Sequence, residues 1–415
     1  MEALGAQIEA TGGNAPVEAD RPDAGRGGMR PGEEVRPLRV LMVAGGTGGH
    51  IFPALAVAEE LRERSQHRQP GGKACEILFL GTGRGLEARL IPAAGFPLRT
   101  VAAAGLKGIG GWRKLRNLLV LPRSALETAL VIRDLRPDVV VGIGGYLAGP
   151  AMLEAALKDI PTLLIEPNAV PGFTNRVLTP VVRLAAVAFE ETANLYGAKG
   201  RLTGHAVRKA FSFVPCKEHV PPFTVLVLGG SQGSVAINEC VVKSLPLLAK
   251  DPERMRFIHQ TGDRDYNAVR QAYQERGLTA EVHAFIENVP EAFARADLIV
   301  SRAGATAVAE LAVAGKAALL IPFPGATDQH QLENARAMER AGAASVIQQA
   351  ELTPQRLVTE LRDLLGEPRR LVEMEQAARR LARPDAAAQI ADLVEELGGI
   401  RRTASNGRRT ANSDS

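Results

Sequence analysis

The chain has 415 residues, of which 46% are hydrophobic and 23% charged, the proportions of a globular protein with room for two domains. Its net charge of +4 is small and only 4% of its residues are aromatic, so no nucleic-acid partner is expected. The three cysteines, Cys75, Cys216 and Cys240, show no CxxC spacing, which argues against a zinc site or a disulfide framework. No apolar run reaches the roughly 18–20 residues that span a bilayer. We expect a cytosolic protein, which could still rest on a membrane surface.

The first structured stretch follows a polar leader. Residues 1–35 lack apolar periodicity and are expected to be disordered. The run RVLMVAGGTGGHIFP at 39–53 then reads as a strand, a glycine loop and a helix N-terminus. Such a turn points unpaired backbone N–H groups and the positive end of a helix dipole above the sheet edge. It predicts a phosphate or diphosphate site; the alternative is a tight turn that needs glycine only for its geometry.

This glycine loop matches neither common nucleotide fingerprint. Ile51 stands at the third glycine position of G-x-G-x-x-G, counted from Gly46 and Gly48, and no G-x-x-x-x-G-K-[ST] occurs. The loop therefore argues against a nicotinamide or flavin enzyme and against an ATPase. No cofactor is expected.

Apolar strands and helices then alternate through two halves of the chain. Continuous apolar runs such as DVVVGIGG at 138–145 are typical of parallel strands covered by helices on both faces. The run FTVLVLGGSQGS at 223–234 repeats the opening strand and glycine loop. The sequence therefore predicts an α/β protein with two doubly wound parallel-sheet domains facing each other across a cleft.

The same pattern predicts the domain boundaries. An i, i+3, i+4, i+7 apolar stripe from Ile390 to Leu397 predicts a closing helix near the end of the chain. The expected parts are a leader (1–35), an N-terminal domain (36–206), a linker (207–222), a C-terminal domain (223–385), a closing helix that packs back on the N-terminal domain (386–400) and a disordered tail (401–415).

Two ionisable side chains fall at the predicted cleft. His50 follows the first glycine loop, where a neutral imidazole can accept a proton from a sugar hydroxyl near neutral pH. Glu310 lies one turn into a helix after Gly304, where a carboxylate can hold the two hydroxyls of a ribose. The alternatives are a partly exposed surface histidine and a carboxylate that only interacts with a helix N-terminus.

Two further segments have alternative interpretations. Asp263-Arg264-Asp265 has the DxD pattern that binds a metal in some enzymes using nucleotide diphosphates, but it reads as a solvated turn, so no metal is expected. The stretch 105–123 is basic and apolar without an acid, which is typical of a surface on anionic lipid headgroups. The alternative is a helix that packs on its own sheet with a solvated basic face. The expected membrane-contact residues are Ile109, Trp112, Arg113, Lys114 and Arg116.

Eight motifs occur together and in a fixed order across about 36–395. They are GGTGGHIFPALA (45–56), GIGGYLAGP (142–150), EPNAVPGFTNR (166–176), TGHAVR (203–208), LGGSQGS (228–234), HQTG (259–262), RAGATAVAEL (302–311) and TDQHQLENA (327–335). The set resembles glycosyltransferase family 28, in particular its peripheral-membrane transferases of bacterial cell-wall synthesis. These add N-acetylglucosamine to undecaprenyl-diphosphate-linked muramyl-pentapeptide.

The resemblance implies a GT-B fold, UDP-N-acetylglucosamine as donor, inversion at the anomeric carbon and no catalytic metal. It also implies attachment to the cytoplasmic face of the bacterial inner membrane. His50 would be the catalytic base. The implied substrate contacts are Thr47, Gly48 and Gly49 for the acceptor diphosphate and donor sugar, Asn168 and Gln331 for N-acetylglucosamine, Arg208 and Ser231 for the donor diphosphate, Ile286 for uracil and Glu310 for ribose, with Ala305 and Thr306 completing the set.

The chain departs from the family pattern at a few motif positions. The family usually has HEQN where this chain has IEPN at 165–168, and a GNPVR-like run where it has GHAVR at 204–208. An acidic residue is common at Gln329 and Ser is usual at Ala303. Since Asn168, Arg208 and Gln331 are present, these departures are expected to change affinity more than activity.

Two other functions are alternatives to transfer. A UDP-N-acetylglucosamine 2-epimerase of the same fold would need carboxylates clustered at the sugar and no basic apolar segment. A non-catalytic nucleotide-sugar-binding or scaffold protein would bind UDP-N-acetylglucosamine without releasing UDP.

Overall fold

The computed structural model describes residues 36–45, 48–67, 74–83, 85–102, 120–230, 232–326 and 329–400. The expected leader and tail and most of the basic apolar stretch lie outside these residues, so the expectations about them stay predictions. In the described part of the chain, no helix combines the length and the apolar content needed to cross a membrane.

The first sheet of the described chain has seven parallel strands in the order β3-β2-β1-β4-β5-β6-β7. Its strands are β1 (Leu38–Val43), β2 (Cys75–Gly81), β3 (Leu98–Thr100), β4 (Val139–Gly142), β5 (Thr162–Glu166), β6 (Leu184–Val187) and β7 (Gly200–Leu202). The helices between them are α1 (Gly48–Gln66), α2 (Glu87–Ala93), α3 (Val120–Leu135), α4 (Gly145–Leu157), α5 (Phe173–Leu178) and α6 (Glu190–Tyr196).

The second sheet has six parallel strands among the described residues, in the order β10-β9-β8-β11-β12-β13. They are β8 (Phe223–Leu228), β9 (Met255–Gln260), β10 (Ala280–His283), β11 (Leu298–Ser301), β12 (Ala318–Leu320) and β13 (Ala344–Val346). The helices here are α7 (Val235–Leu248), α8 (Tyr266–Glu275), α9 (Val289–Arg295), α10 (Ala305–Ala314), α11 (His330–Arg340), α12 (Pro354–Gly366), α13 (Pro368–Leu381) and α14 (Ala386–Leu397).

The continuous apolar strands have the physical basis predicted for them. In β1, Val40 and Met42 belong to one buried cluster and Leu41 and Val43 to another, on the opposite face of the sheet. Alternate side chains of a strand point to opposite faces, so a strand covered by helices on both sides must be apolar at every position. The predicted architecture of two doubly wound parallel-sheet domains is confirmed.

The last helix, α14, packs against α1 rather than against the second sheet. Its Ile390 and Val394 are fully buried in the same cluster as the residues of β1 and α1. Arg64 of α1 also reaches across, with Nη1 2.6 Å from Asp392 Oδ1 and Nη2 2.9 Å from the Ala388 carbonyl oxygen. The end of the chain therefore ties the N-terminal domain to the helices of the C-terminal one.

The segment before β8 is held by a buried group of charges. His219 Nδ1 lies 2.9 Å from Asp297 Oδ1, and its Nε2 lies 3.5 Å from Glu375 Oε1. Asp297 also pairs with Lys217 and accepts a 2.7 Å hydrogen bond from the Thr224 backbone N–H. Burial by itself would lower the pKa of His219, but the two carboxylates outweigh it and raise the pKa to about 9.

We expect His219→Gln to destabilise the protein in a pH-dependent way. The pKa of His219 is about 9 in the folded chain against 6.5 for an ordinary histidine, so its charge stabilises the fold fully below pH 6.5. That contribution disappears as pH rises through about 9. Urea unfolding of both proteins between pH 6 and 10 should therefore show a stability gap that closes at the alkaline end. A stability gap that stays constant with pH would contradict the raised pKa of His219. The matched control is His67→Gln, at an exposed histidine.

Candidate active site

The carboxyl ends of both sheets open on one cavity of about 2110 Å³. This exceeds the ~300–1000 Å³ of ordinary small-molecule sites and leaves room for two substrates. Predicted site residues from both domains line it, namely Gly48, Gly49, His50, Asn168, Arg208, Ile286, Ala305, Thr306, Glu310 and Gln331. Outside the described residues lie Thr47, Ser231, Ile109, Trp112, Arg113, Lys114 and Arg116, whose roles stay predictions.

His50 lies in the first turn of α1, where its ring is oriented by the backbone. Its Nδ1 lies 3.3 Å from the Gly45 carbonyl oxygen. Because a carbonyl oxygen only accepts, Nδ1 carries the proton in the neutral ring and Nε2 keeps the lone pair that a base needs. Burial lowers the pKa of His50, and the weaker opposing effect of the Gly45 hydrogen bond does not offset it. The imidazole is therefore neutral near pH 7.

Arg208 and Glu310 form an ion pair in the wall of the cavity. The Arg208 Nη2 lies 3.1 Å from Glu310 Oε1, and the guanidinium carbon lies 4.6 Å from the centre of the Phe52 ring. Burial raises the pKa of Glu310 to about 7, although the positive charge of Arg208 opposes the shift. The pair joins the linker to α10, and each partner presents a charge to the same cavity.

Asn168 is positioned by a carboxylate that the sequence did not single out. Glu166, at the end of β5, is buried and accepts hydrogen bonds from the Asn168 backbone N–H at 3.0 Å and from its Nδ2 at 3.1 Å. The same carboxylate accepts from the Asn175 Nδ2 at 2.8 Å and from the Gly172 N–H at 3.0 Å. Since the amide nitrogen of Asn168 is held by Glu166, its carbonyl oxygen remains for a ligand. The sequence feature that could have identified Glu166 is its place as an acidic residue at the carboxyl end of an apolar strand.

Thr306 connects the two domains at the first glycine loop. Its hydroxyl donates to the Gly49 carbonyl oxygen at 3.4 Å and lies 3.0 Å from Nε2 of His205. Burial lowers the pKa of His205 to about 3, so the ring is neutral. Because the Thr306 hydroxyl donates its hydrogen to Gly49, the hydroxyl oxygen accepts from Nε2 of His205. The departure from the family pattern at His205 therefore has a defined contact, with the N-terminus of α10.

Arg302 is a second site residue that sequence analysis missed. It lines the cavity after β11, where it donates to Ser234 Oγ and Gln349 Oε1, both at 2.7 Å, and to the Ile321 carbonyl oxygen at 3.0 Å. Burial lowers its pKa to about 10. Within the described ranges all of these hydrogen-bond partners are neutral, so the charge of Arg302 is available to an anion in the cavity. The sequence feature that could have identified Arg302 is its place as a basic residue at the carboxyl end of a strand.

The second glycine loop lies against the end of β9. Gly233 has φ +74°, and a Cβ there would come 1.8 Å from the Thr261 carbonyl oxygen. Ser234 then caps α7, with its Oγ 3.4 Å from the Ile237 N–H. This repeats the strand, glycine loop and helix N-terminus predicted from the sequence.

Gln331 of the last motif lines the cavity, whereas the DxD segment does not. Asp265 accepts a 2.8 Å hydrogen bond from Asn238 Nδ2, and no group of three His, Cys, Asp or Glu side chains among the described residues is arranged for a metal ion. Gln331, in the first turn of α11, accepts from the Phe323 N–H at 3.0 Å through Oε1. Its amide nitrogen is thereby the end left for a ligand.

Sequence comparison relates both domains to known families. Residues 40–187 match the glycosyltransferase family 28 N-terminal domain and residues 224–390 the glycosyltransferase family 28 C-terminal domain. A relative from Myxococcus xanthus is 44% identical over 363 residues, covering 87% of this chain and 93% of the relative. One from Anaeromyxobacter sp. (strain Fw109-5) is 46% identical over 364 residues, with the same coverage. Both are named UDP-N-acetylglucosamine--N-acetylmuramyl-(pentapeptide) pyrophosphoryl-undecaprenol N-acetylglucosamine transferase.

Solved structures support the same relationship. The crystal structure of MurG from Acinetobacter baumannii is 34% identical, with a TM-score of 0.68 over 87% of this chain and 100% of that chain. A UDP-GlcNAc 2-epimerase from Neisseria meningitidis has a TM-score of 0.60 over 86% of this chain and 100% of its own. At 15% identity that likeness shows the fold alone. The predicted GT-B fold is confirmed, and the chain belongs to glycosyltransferase family 28.

Proposed function

We propose that this protein transfers N-acetylglucosamine from UDP-N-acetylglucosamine to the muramyl 4-hydroxyl of undecaprenyl-diphosphate-linked muramyl-pentapeptide. The reaction inverts the anomeric carbon and uses no metal. The observation that supports this most directly is the cavity that holds a neutral, oriented His50 on one side and Arg208, Arg302 and Glu310 on the other. The names of its relatives, at 44% and 46% identity over most of the chain, point to the same donor and acceptor.

The donor occupies the C-terminal half of the cavity. Ile286 covers the flat face of the uracil, and Glu310 accepts hydrogen bonds from the ribose hydroxyls. The diphosphate lies between the glycine loop before α7 and the cations Arg208 and Arg302, where the helix N-terminus adds a favourable dipole. Charge that builds on the leaving diphosphate is thereby stabilised without a metal ion.

The acceptor enters from the N-terminal half, with its diphosphate at the first glycine loop. His50 takes the proton from the muramyl 4-hydroxyl through Nε2 as the oxygen attacks the anomeric carbon. UDP leaves from the opposite face, so the configuration is inverted in a single displacement. Asn168 and Gln331 hold the sugar through its hydroxyl and acetamido groups as it becomes oxocarbenium-like.

A transfer assay tests the proposal directly. Purified protein receives labelled UDP-N-acetylglucosamine with and without a short-chain lipid-diphosphate acceptor, and the products are identified by mass. Acceptor-dependent UDP release with a disaccharide product is the expected result, and a chelator should leave it unchanged. A free epimerised sugar nucleotide formed without acceptor would instead support the 2-epimerase, and binding with no UDP release would support the non-catalytic protein.

We also propose that the protein rests on the membrane through its N-terminal domain, since its acceptor is anchored there. Helices α3, α4 and α5 carry exposed apolar side chains that support this proposal. They are Leu126, Leu130, Leu153, Leu157, Phe173 and Val177. Leu153, Phe173 and Val177 also line the cavity, so the apolar surface continues into the site. The predicted basic and apolar stretch at 105–123 leads directly into α3.

A double variant of this surface separates membrane binding from chemistry. Leu126 and Leu157 are 63% and 73% exposed, so Leu126→Asp with Leu157→Asp should leave the fold intact. Burying a leucine side chain is worth roughly 1.5–3 kcal/mol, so loss of two should weaken binding to anionic vesicles at least about tenfold. Co-sedimentation measures this, while turnover with a short-chain acceptor stays unchanged. Leu381→Asp, on α13, is the control, and equal vesicle binding by all three proteins would refute the surface.

A further inference from the structure

One buried side chain touches both halves of the proposed donor site. Gln260 is the last residue of β9 and is only 4% exposed. Its Nε2 donates to the Gly230 carbonyl oxygen at 2.7 Å, and its Oε1 accepts from the Ile286 N–H at 2.9 Å. Both polar ends of the amide are therefore used.

The two partners belong to different parts of the site. Gly230, with φ +92°, lies in the glycine loop proposed for the donor diphosphate, and Ile286 follows β10 in the loop proposed for the uracil. Both line the cavity together with Gln260. Because one partner offers a carbonyl and the other an N–H, only one orientation of the amide satisfies both. The side chain is thus a spacer of fixed length and fixed direction between the two loops.

The backbone around Gln260 is held without this side chain. The Thr261 N–H donates to the His283 carbonyl oxygen at 2.9 Å, and the Gly262 N–H donates to the Ala284 carbonyl oxygen at 3.1 Å. The preceding His259 is also buried, with Nε2 3.0 Å from Asn238 Oδ1. Replacing the side chain of Gln260 should therefore remove the link between Gly230 and Ile286 while the end of β9 stays in place.

We propose that Gln260 is a positioning residue that sets the distance between the base-binding and diphosphate-binding loops of the donor site. A ligand that spans both loops benefits from this fixed spacing, whereas a fragment that fills only one does not. Gln260 thereby makes the nucleoside and diphosphate parts of UDP bind cooperatively. This inference rests on the proposed function, because it takes the donor to be a uridine diphosphate.

Three ligands and two substitutions test the inference. Gln260→Glu keeps an acceptor for Ile286 but sets a carboxylate oxygen against the Gly230 carbonyl, and Gln260→Leu removes both hydrogen bonds. By calorimetry, UDP should bind about ten- to a hundredfold more weakly, the loss expected for two hydrogen bonds. Uridine alone and pyrophosphate alone should bind within about twofold of the wild type. In turnover, KM for UDP-N-acetylglucosamine should rise more than kcat falls.

The control is Gln271→Leu, which removes an exposed amide that donates to Glu275 at 2.8 Å on α8, away from the cavity. It should leave all three affinities unchanged. UDP binding equal to wild type in folded Gln260 variants would overturn the inference, and so would losses of uridine and pyrophosphate as large as the loss of UDP. If wild-type protein itself did not bind UDP, the proposed function would fail first. Gln260→Asn, too short to reach both partners, repeats the test if either variant misfolds.

Discussion

His50→Ala is expected to lower turnover about 10²–10⁴-fold, the usual contribution of a general base. The ring is held by Nδ1 against the Gly45 carbonyl oxygen at 3.3 Å and is neutral near pH 7, so its Nε2 is ready to take a proton from the acceptor hydroxyl. Only the chemical step needs that nitrogen. We therefore expect kcat to fall while UDP affinity, measured by calorimetry, changes less than about twofold.

The pH profile provides an independent readout of the same residue. Burial lowers the pKa of His50 below 6.5. At saturating donor, where binding through Glu310 no longer limits the rate, the acidic limb of wild-type turnover should therefore lie below pH 6.5. That limb should be missing from the residual activity of His50→Ala. His67→Ala, an exposed histidine just after α1, should behave as wild type. Near-normal turnover by purified His50→Ala would remove His50 from the role of base.

The fold was predictable because its signals are local. A strand such as β1 is apolar at consecutive positions because both faces of the sheet are covered, and that pattern is visible without knowing any partner. The two glycine loops likewise follow their strands directly, so their positions in the sequence mark the carboxyl ends of the two sheets. The predicted cleft residues that are described, such as Glu310 and Gln331, all reach one cavity for this reason.

The contacts that organise the site could not be read in the same way. Arg302 meets Ser234, Gln260 meets Gly230 and His205 meets Thr306, and every one of these pairs is far apart in the chain. Their geometry depends on how the strands are ordered in the sheet and how the domains meet. No spacing rule in a single sequence encodes that.

Glu310→Ala is expected to weaken UDP binding about ten- to a hundredfold and to remove the preference for ribose. A hydrogen bond to a charged group is worth roughly 1.5–3 kcal/mol. The Glu310 carboxylate holds two ribose hydroxyls, so truncating it should cost UDP binding at least that much free energy. The affinity of 2′-deoxy-UDP, which lacks one of those hydroxyls, should fall much less. Comparing the two nucleotides on wild type and variant isolates the contact. A preference for UDP that survives the substitution would assign the ribose to another residue.

The ionisation of Glu310 adds a pH signature to this contact. Its pKa is raised to about 7 by burial, against the positive charge of Arg208, so the carboxylate is charged above that pH and protonated below it. Uridine has no phosphate of its own to titrate, and its affinity should therefore drop as pH falls through about 7. Glu310→Gln, which is neutral and nearly isosteric, should flatten this dependence. Because Arg208 lies 3.1 Å from the same carboxylate, its positive charge holds the pKa of Glu310 below the value that burial alone would give. Removing that charge with Arg208→Ala should therefore raise the pH at which uridine binding is lost.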